Sequence, residues 1–182
     1  DQSNTESAIT ELQNFINEYP DSERSKNINQ MIDELSYKLE FKAFENARQY
    51  YNMGEYKAAT VALENVLEDF PATKLRPKIY DIIMKSKYEL ALNSVYDLKK
   101  ERLDAASAYA KRVITELPDS EYSKSADDIY NKLEVEKEKF AKLQVEVEKR
   151  KAEYEAKTKN AQAEQNEKKE IAQEKNQRDM EK

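Results

Sequence analysis

Side chains suited to covalent or acid–base chemistry are few in kind. The 182 residues contain neither His nor Cys, so such roles would fall to carboxylates, Lys, Tyr or Ser. The charged side chains recur at helical spacing, as in Glu134/Glu138 and Glu164/Lys168, which is the pattern of solvated helix faces. No Gly-rich loop stands ready for a phosphate and no D-x-D-x-D-G loop for calcium. Without Cys there are no disulfides and no thiolate metal sites. No catalytic, cofactor-binding or metal-binding residue is therefore assigned, and the chain is expected not to be an enzyme. The chemistry on offer is that of binding. Twelve Tyr, with Phe and Arg among them, are the side-chain types that anchor interfaces. Most, such as Tyr50 and Tyr56, are expected to fill helix–helix contacts instead.

Composition points to the elements that must carry them. The chain is 38% apolar and 37% charged with one glycine, Gly54, which fits an all-α protein with a thin interior. The net charge of -6 comes from 31 basic and 37 acidic residues of interspersed sign. That gives no basic face for nucleic acid. No apolar run approaches the ~20 residues of a spanning helix. Asp1 does not open a signal peptide, and a mature or trimmed chain is expected.

Three of the four prolines share one context. Pro20, Pro71 and Pro118 stand in EYPDSERS, DFPATKLR and ELPDSEYS. Ahead of them lie Ala8, Leu12 and Phe15; Ala59, Leu63 and Val66; and Ala106, Ala110 and Val113. Steps of four and three place each set on one helical stripe, and the proline stops the helix. The Ser and Thr residues that follow are expected to cap the next one. This is the second half of a tetratricopeptide repeat. Its first half is clearest before Pro71, where Ala47 and Tyr50 precede a left-handed turn at Gly54. Before Pro118 the same register puts the turn at Glu101. The repeat before Pro20 lacks its first helix, so more chain or another subunit is expected to cover that end. The prolines are 51 and 47 residues apart, against ~34 for the usual repeat, so the first helix of each pair is expected to be elongated. Helices are predicted at 3–18, 22–52, 55–69, 73–98, 101–116 and from 120 onward. The fold class is a tetratricopeptide-like helical hairpin array, an α-solenoid, over residues 1–133, with a long charged C-terminal helix over 134–182.

Such arrays bind through a concave face. Counting back from Pro71 assigns Phe41, Phe44, Arg48, Tyr51 and Asn52 to it. Counting back from Pro118 assigns Tyr88, Ala91, Val95, Leu98 and Lys99. Between the helix pairs, Lys99, Lys100, Glu101 and Arg102 form a charged corner.

Residues 134–182 hold 13 acidic and 13 basic side chains without Pro or Gly. Leu133, Phe140, Val147, Tyr154 and Ala161 recur every seven residues, with Leu143 beside them, and the register continues through Lys168 and Lys175. The second seam is charged (Glu136, Arg150, Lys157), which disfavours a free-standing dimeric coiled coil. The stripe from Leu133 to Tyr154 is expected to dock on another subunit or on the end of the array. The part beyond Ala161 is expected to be exposed and mobile.

The segments ARQYYNMGEYKAATVALENVLEDFPAT (47–73) and KYELALNSVYDLKKERLDAASAYAKRVITELPDSEYS (87–123) resemble the BamD family. These are tetratricopeptide lipoproteins of the outer-membrane β-barrel assembly machinery. The doubled Tyr50-Tyr51, the Gly-x-Tyr from Gly54 to Tyr56 and the link LALNS…KKER carry the likeness, over about residues 5–135. The resemblance implies the family's central and C-terminal repeats, without the lipid-bearing cysteine and first repeats. It implies a non-catalytic scaffold supporting folding and insertion of outer-membrane proteins, on the periplasmic face of that membrane. Implied partners are a β-barrel subunit with periplasmic domains (BamA-like), other subunits of the machinery and unfolded outer-membrane protein clients. Membrane association would come only through the lipid anchor. Arg76, Lys100 and Arg102 are the implied charged contacts to the barrel subunit. The rival reading is a soluble peptide-binding tetratricopeptide adaptor unrelated to membranes, and a third is a module cut from a larger enzyme.

Overall fold

The computed structural model describes the backbone of residues 2–180 and the side chains of residues 2–166, 168 and 169. Among them every regular element is helical: α1 (Ser3–Glu18), α2 (Ser25–Asn52), α3 (Tyr56–Asp69), α4 (Arg76–Leu92), α5 (Tyr96–Glu116) and α6 (Glu121–Met180). Each of the first five packs on the next in chain order, and α2 also reaches α4. This is the stacking of a tetratricopeptide-like hairpin array. The chain divides into two units, Asp1–Val135 and Glu136–Lys182.

The proline-anchored stripes form the interior. Ala59, Leu63, Val66, Ala106, Ala110 and Val113 are all buried, each stripe lying on the side of its helix that meets its neighbours. Between them α4 contributes Ile79, Tyr80, Ile83 and Met84. In α1 no residue is fully buried, and Ala8, Leu12 and Phe15 are only partly covered, as befits a stripe with α2 as its one neighbour.

Gly54 adopts φ 79°, the left-handed turn expected between α2 and α3. Its neighbours close the helix end, with Glu55 N–H donating to Tyr50 O at 2.9 Å. Pro77 sits in the first turn of α4, where its missing amide is harmless. The expected caps operate slightly off register. Ser22 Oγ accepts from Arg24 N–H (3.3 Å) and Thr73 Oγ1 from Leu75 N–H (3.1 Å), both just ahead of their helices. Ser120 Oγ accepts from Ser123 N–H (3.0 Å), inside the first turn of α6.

One boundary departs from the repeat register. The α4–α5 turn lies at Asn93–Val95 and not at Glu101, which is inside α5. Asn93 Nδ2 donates to Glu89 O (2.9 Å) and Ser94 Oγ to Leu90 O (2.6 Å). Glu89 O also keeps its helical bond from Asn93 N–H, whereas Ser94 Oγ satisfies the Leu90 carbonyl that a continuing helix would have paired with Ser94 N–H, and Val95 is extended. Elongation therefore falls on the first helix of one pair only. α2 has 28 residues, but α4 has 17 and the extra length passes to α5, with 21 against 14 in α3.

Candidate functional site

Along α2, Tyr37, Phe41, Phe44, Arg48 and Tyr51 recur at steps of three and four and so form one stripe. Tyr37 stacks on Phe41 with ring centroids 6.1 Å apart, and Phe41 meets Phe44 at 6.4 Å. Phe41 is exposed, but Phe44 is only 4% exposed. That corrects its assignment to an open groove. It shares the packed side of α2 with buried Ala47, three residues on. Arg48 Nη2 pairs with Glu45 Oε2 at 2.6 Å, while its Nε is buried without a partner. Asn52 is exposed.

Tyr51 joins this stripe to α4. Its ring lies 5.8 Å from Tyr56. Burial raises the Tyr51 phenol above its ordinary pKa, and Lys85 on α4 opposes the shift. Tyr122, near the start of α6, is raised likewise by burial and senses the same Asp81 and Lys85. Asp81 Oδ2 accepts from Lys85 Nζ at 2.6 Å, while its Oδ1 is buried with no partner. Tyr88, one turn further along α4, is half-buried; the bond to Asp128 raises the pKa of Lys132 on α6, and nearby Tyr88 adds a little to that shift. Asp81, Lys85 and Tyr122 thus lie together on the face that Tyr51 opens. No repeat consensus pointed to those three.

The rest of the assigned groove does not belong to this face. Ala91 is buried. The shifted turn places Val95 and Lys99 at the start of α5 and leaves Val95 65% exposed. Lys99 Nζ donates to Leu92 O at 2.9 Å, closing the end of α4. Arg102 Nη1 donates to Ser94 Oγ at 3.0 Å, and Lys100 pairs with Asp104 one turn on. These residues fasten the turn within a helix pair instead of joining two pairs. Arg76 is not with them. It opens α4, whereas Arg102 lies near the far end of that helix, because α4 and α5 run antiparallel. Tyr50 is 42% exposed and is not the packing residue expected.

At the other end of that hairpin a cluster appears that sequence reasoning missed. Tyr80 Oη accepts from Arg76 Nη1 (3.2 Å) and Arg112 Nη2 (3.0 Å), and donates to Glu116 Oε2 (2.7 Å). Arg112 Nε also donates to Glu116 Oε1 at 2.6 Å. The bond from Tyr80, and then that from Arg112, holds the Glu116 carboxyl below the usual range. Arg112 and Glu116 stand at i,i+4, a signal legible in the chain, but their meeting with Tyr80 depends on the hairpin.

On α6, Leu133 and Phe140 are buried, whereas Leu143 is 45% and Tyr154 74% exposed; Val147 is half-buried. Residues 161–166, 168 and 169 are exposed, and Lys175 lies outside the described side chains. Among the described residues no His, Cys, Asp or Glu cluster could hold a metal, and no helix is long and apolar enough to cross a membrane.

Antiparallel helix pairs, stacked in order and sharing an aromatic and charged face, define a tetratricopeptide-like array. Residues 1–103 match the family model YfiO, described as outer membrane lipoprotein, and the chain belongs to that family. The match takes in α1 to α4 and ends within α5. A search of curated proteins found no match to the chain.

Proposed function

We propose that this chain is a non-catalytic scaffold subunit of the outer-membrane β-barrel assembly machinery, corresponding to the central and C-terminal repeats of BamD. Membership of the outer membrane lipoprotein family over residues 1–103 carries the reading. The face built from Tyr51, Asp81, Lys85 and Tyr122 supports it, since tyrosines grouped around a Lys–Asp pair suit protein docking. The partner is a β-barrel membrane protein with periplasmic domains, bound on the periplasmic side of the outer membrane. The repeats of 1–133 hold it, and the charged helix of 134–182 reaches further subunits. Lys100 and Arg102 border the contact, and unfolded outer-membrane proteins are the clients whose insertion it supports.

Affinity purification through the full-length chain in its native envelope tests this. A β-barrel protein with periplasmic domains is expected to co-purify. Recovery should fall with Tyr51→Ala or Lys100→Glu and stay unchanged with Lys142→Glu on the tail. If no barrel protein co-purifies, the reading fails. One observation favours a second reading, a peptide-binding adaptor. Asp81, which both Tyr51 and Tyr122 sense, keeps a buried Oδ1 without a partner that a peptide N–H would satisfy if the face opened to admit it. Saturable binding of free peptides at this face without any barrel protein in the purified complex would select it.

A further inference from the structure

α2 has 28 residues and α3 only 14, so α3 is too short to cover α2 along its length. The loop that follows α3 brings Ala72 and Lys74 beside the middle of α2. There they close a groove of about 590 Å³ with Asp33, Glu34, Tyr37 and Glu40. Asp33, Tyr37 and Glu40 stand at steps of four and three, which sets a carboxylate one turn to either side of the ring. Tyr37 is 46% and Phe41 43% exposed, and Phe41 stacks on the Tyr37 ring. Two adjoining aromatic side chains are thus left in solvent with acids around them.

The charge here is not balanced. Three carboxylates line the groove against one ammonium, that of Lys74. Glu34 Oε1 accepts from Gln30 Nε2 at 3.1 Å, a neutral donor that leaves the charge in place. Among the described residues none of the three acids is in a salt bridge. The imbalance extends beyond the groove. Residues 1–40, Lys26 and Lys38 included, hold nine acidic and three basic side chains, whereas the rest of the chain holds 28 of each. The whole net charge of -6 therefore resides in α1, the loop after it and the first part of α2. A cation approaching this end is drawn by that field as well as by the groove itself.

We propose that this groove receives a basic segment of a polypeptide partner, anchored by an arginine side chain. Its guanidinium lies over the Tyr37 ring and directs its donors to Asp33 and Glu40, while a second basic residue meets Glu34. The same three acids repel an anionic lipid surface or a nucleic acid. A neutral apolar segment would cover Tyr37 and Phe41 but draw the carboxylates out of water without a counter-charge. The groove shares no residue with the face of Tyr51, Asp81, Lys85 and Tyr122, so it stands or falls separately from the assembly role.

The test is calorimetric titration of the full chain at low ionic strength. The probes are an acetylated, amidated Ala-Arg-Leu-Arg-Ala peptide and its Ala-Gln-Leu-Gln-Ala counterpart. The Arg peptide should bind saturably, and the Gln peptide about tenfold more weakly or worse. The deciding comparison is between two double variants that each remove two negative charges. Asp33→Asn with Glu40→Gln should weaken the Arg peptide about tenfold. Glu6→Gln with Glu11→Gln, on α1 and outside the groove, should weaken it by about twofold at most. Lys74→Gln should strengthen binding by about twofold or more, which a merely structural role for Lys74 would not do. All of these side chains are exposed or half-buried, and unchanged helical circular dichroism checks that each variant folds. Equal affinity for the two peptides, or an undiminished affinity in the Asp33 and Glu40 variant, would overturn the proposal. Equal losses from the two double variants would overturn it in favour of a diffuse acidic field without a site.

Discussion

Tyr80 and Tyr109 lie with ring centroids 6.1 Å apart, yet their hydroxyls have opposite fates, and substitution should separate them. Tyr80 Oη has three partners, whereas Tyr109 Oη is buried with none and its pKa is raised strongly by burial. Removing an unsatisfied buried hydroxyl costs little, so Tyr109→Phe should unfold in urea within about 1 kcal/mol of wild type or above it. Tyr80→Phe should be the less stable of the two. Glu116 makes a second, pH-dependent test. Its folded pKa is depressed, so its contribution is present above the ordinary glutamate range, about 4.3. That contribution is lost as the pH falls through the lower folded value. The stability gap between wild type and Glu116→Gln should therefore narrow from pH 7 to about pH 3. A gap that is constant over that range would mean that the carboxylate is not held by Tyr80 and Arg112.

Gly54 and Ala59 test the helix pair that the sequence described best. A Cβ added at Gly54 meets nothing within 4 Å, so Gly54→Ala pays only for its left-handed backbone, about 1–2 kcal/mol. Ala59 is fully buried, and Ala59→Leu should overpack the interior and cost about 1–3 kcal/mol. Thermal unfolding of both variants checks these values, and a neutral Ala59→Leu would contradict the packing of α3. This pair was legible because a proline, an apolar stripe and the one glycine all agree on its register. The next pair was not. Carrying the same register to Pro118 put its turn at Glu101, while Asn93 and Ser94 ended α4 through bonds to their own backbone. Those short-range bonds carry no periodicity. The misplaced turn took Val95 and Lys99 out of the candidate face, and Asp81, Lys85 and Tyr122 entered it through contacts between helices. Stripes within α2 could be counted along the chain, but neighbours across α2, α4 and α6 could not.

For the molecule as a whole, the question left by α6 is what covers its far half. At 60 residues the helix would extend ~90 Å, with many charged pairs along it. Arg150 pairs with Glu146 at 2.6 Å and Lys151 with Glu148 at 3.0 Å. Exposed pairs of this kind contribute only ~0.2–0.5 kcal/mol each, enough to bias a helix but not to anchor it. The apolar residues tell the two ends apart. Leu133 and Phe140 are already buried, but Leu143 and Tyr154 are exposed, on a segment where mixed charge would otherwise favour solvent. If a partner subunit uses that stripe, amide exchange over 141–154 should slow by at least tenfold in the purified complex relative to the isolated chain. That factor corresponds to about 1.4 kcal/mol of added protection. Residues 161–169 should exchange at the same fast rate in both samples. Equal rates over 141–154 as well would leave this segment as a solvated charged helix, and the contacts to further subunits would have to come from the repeats alone.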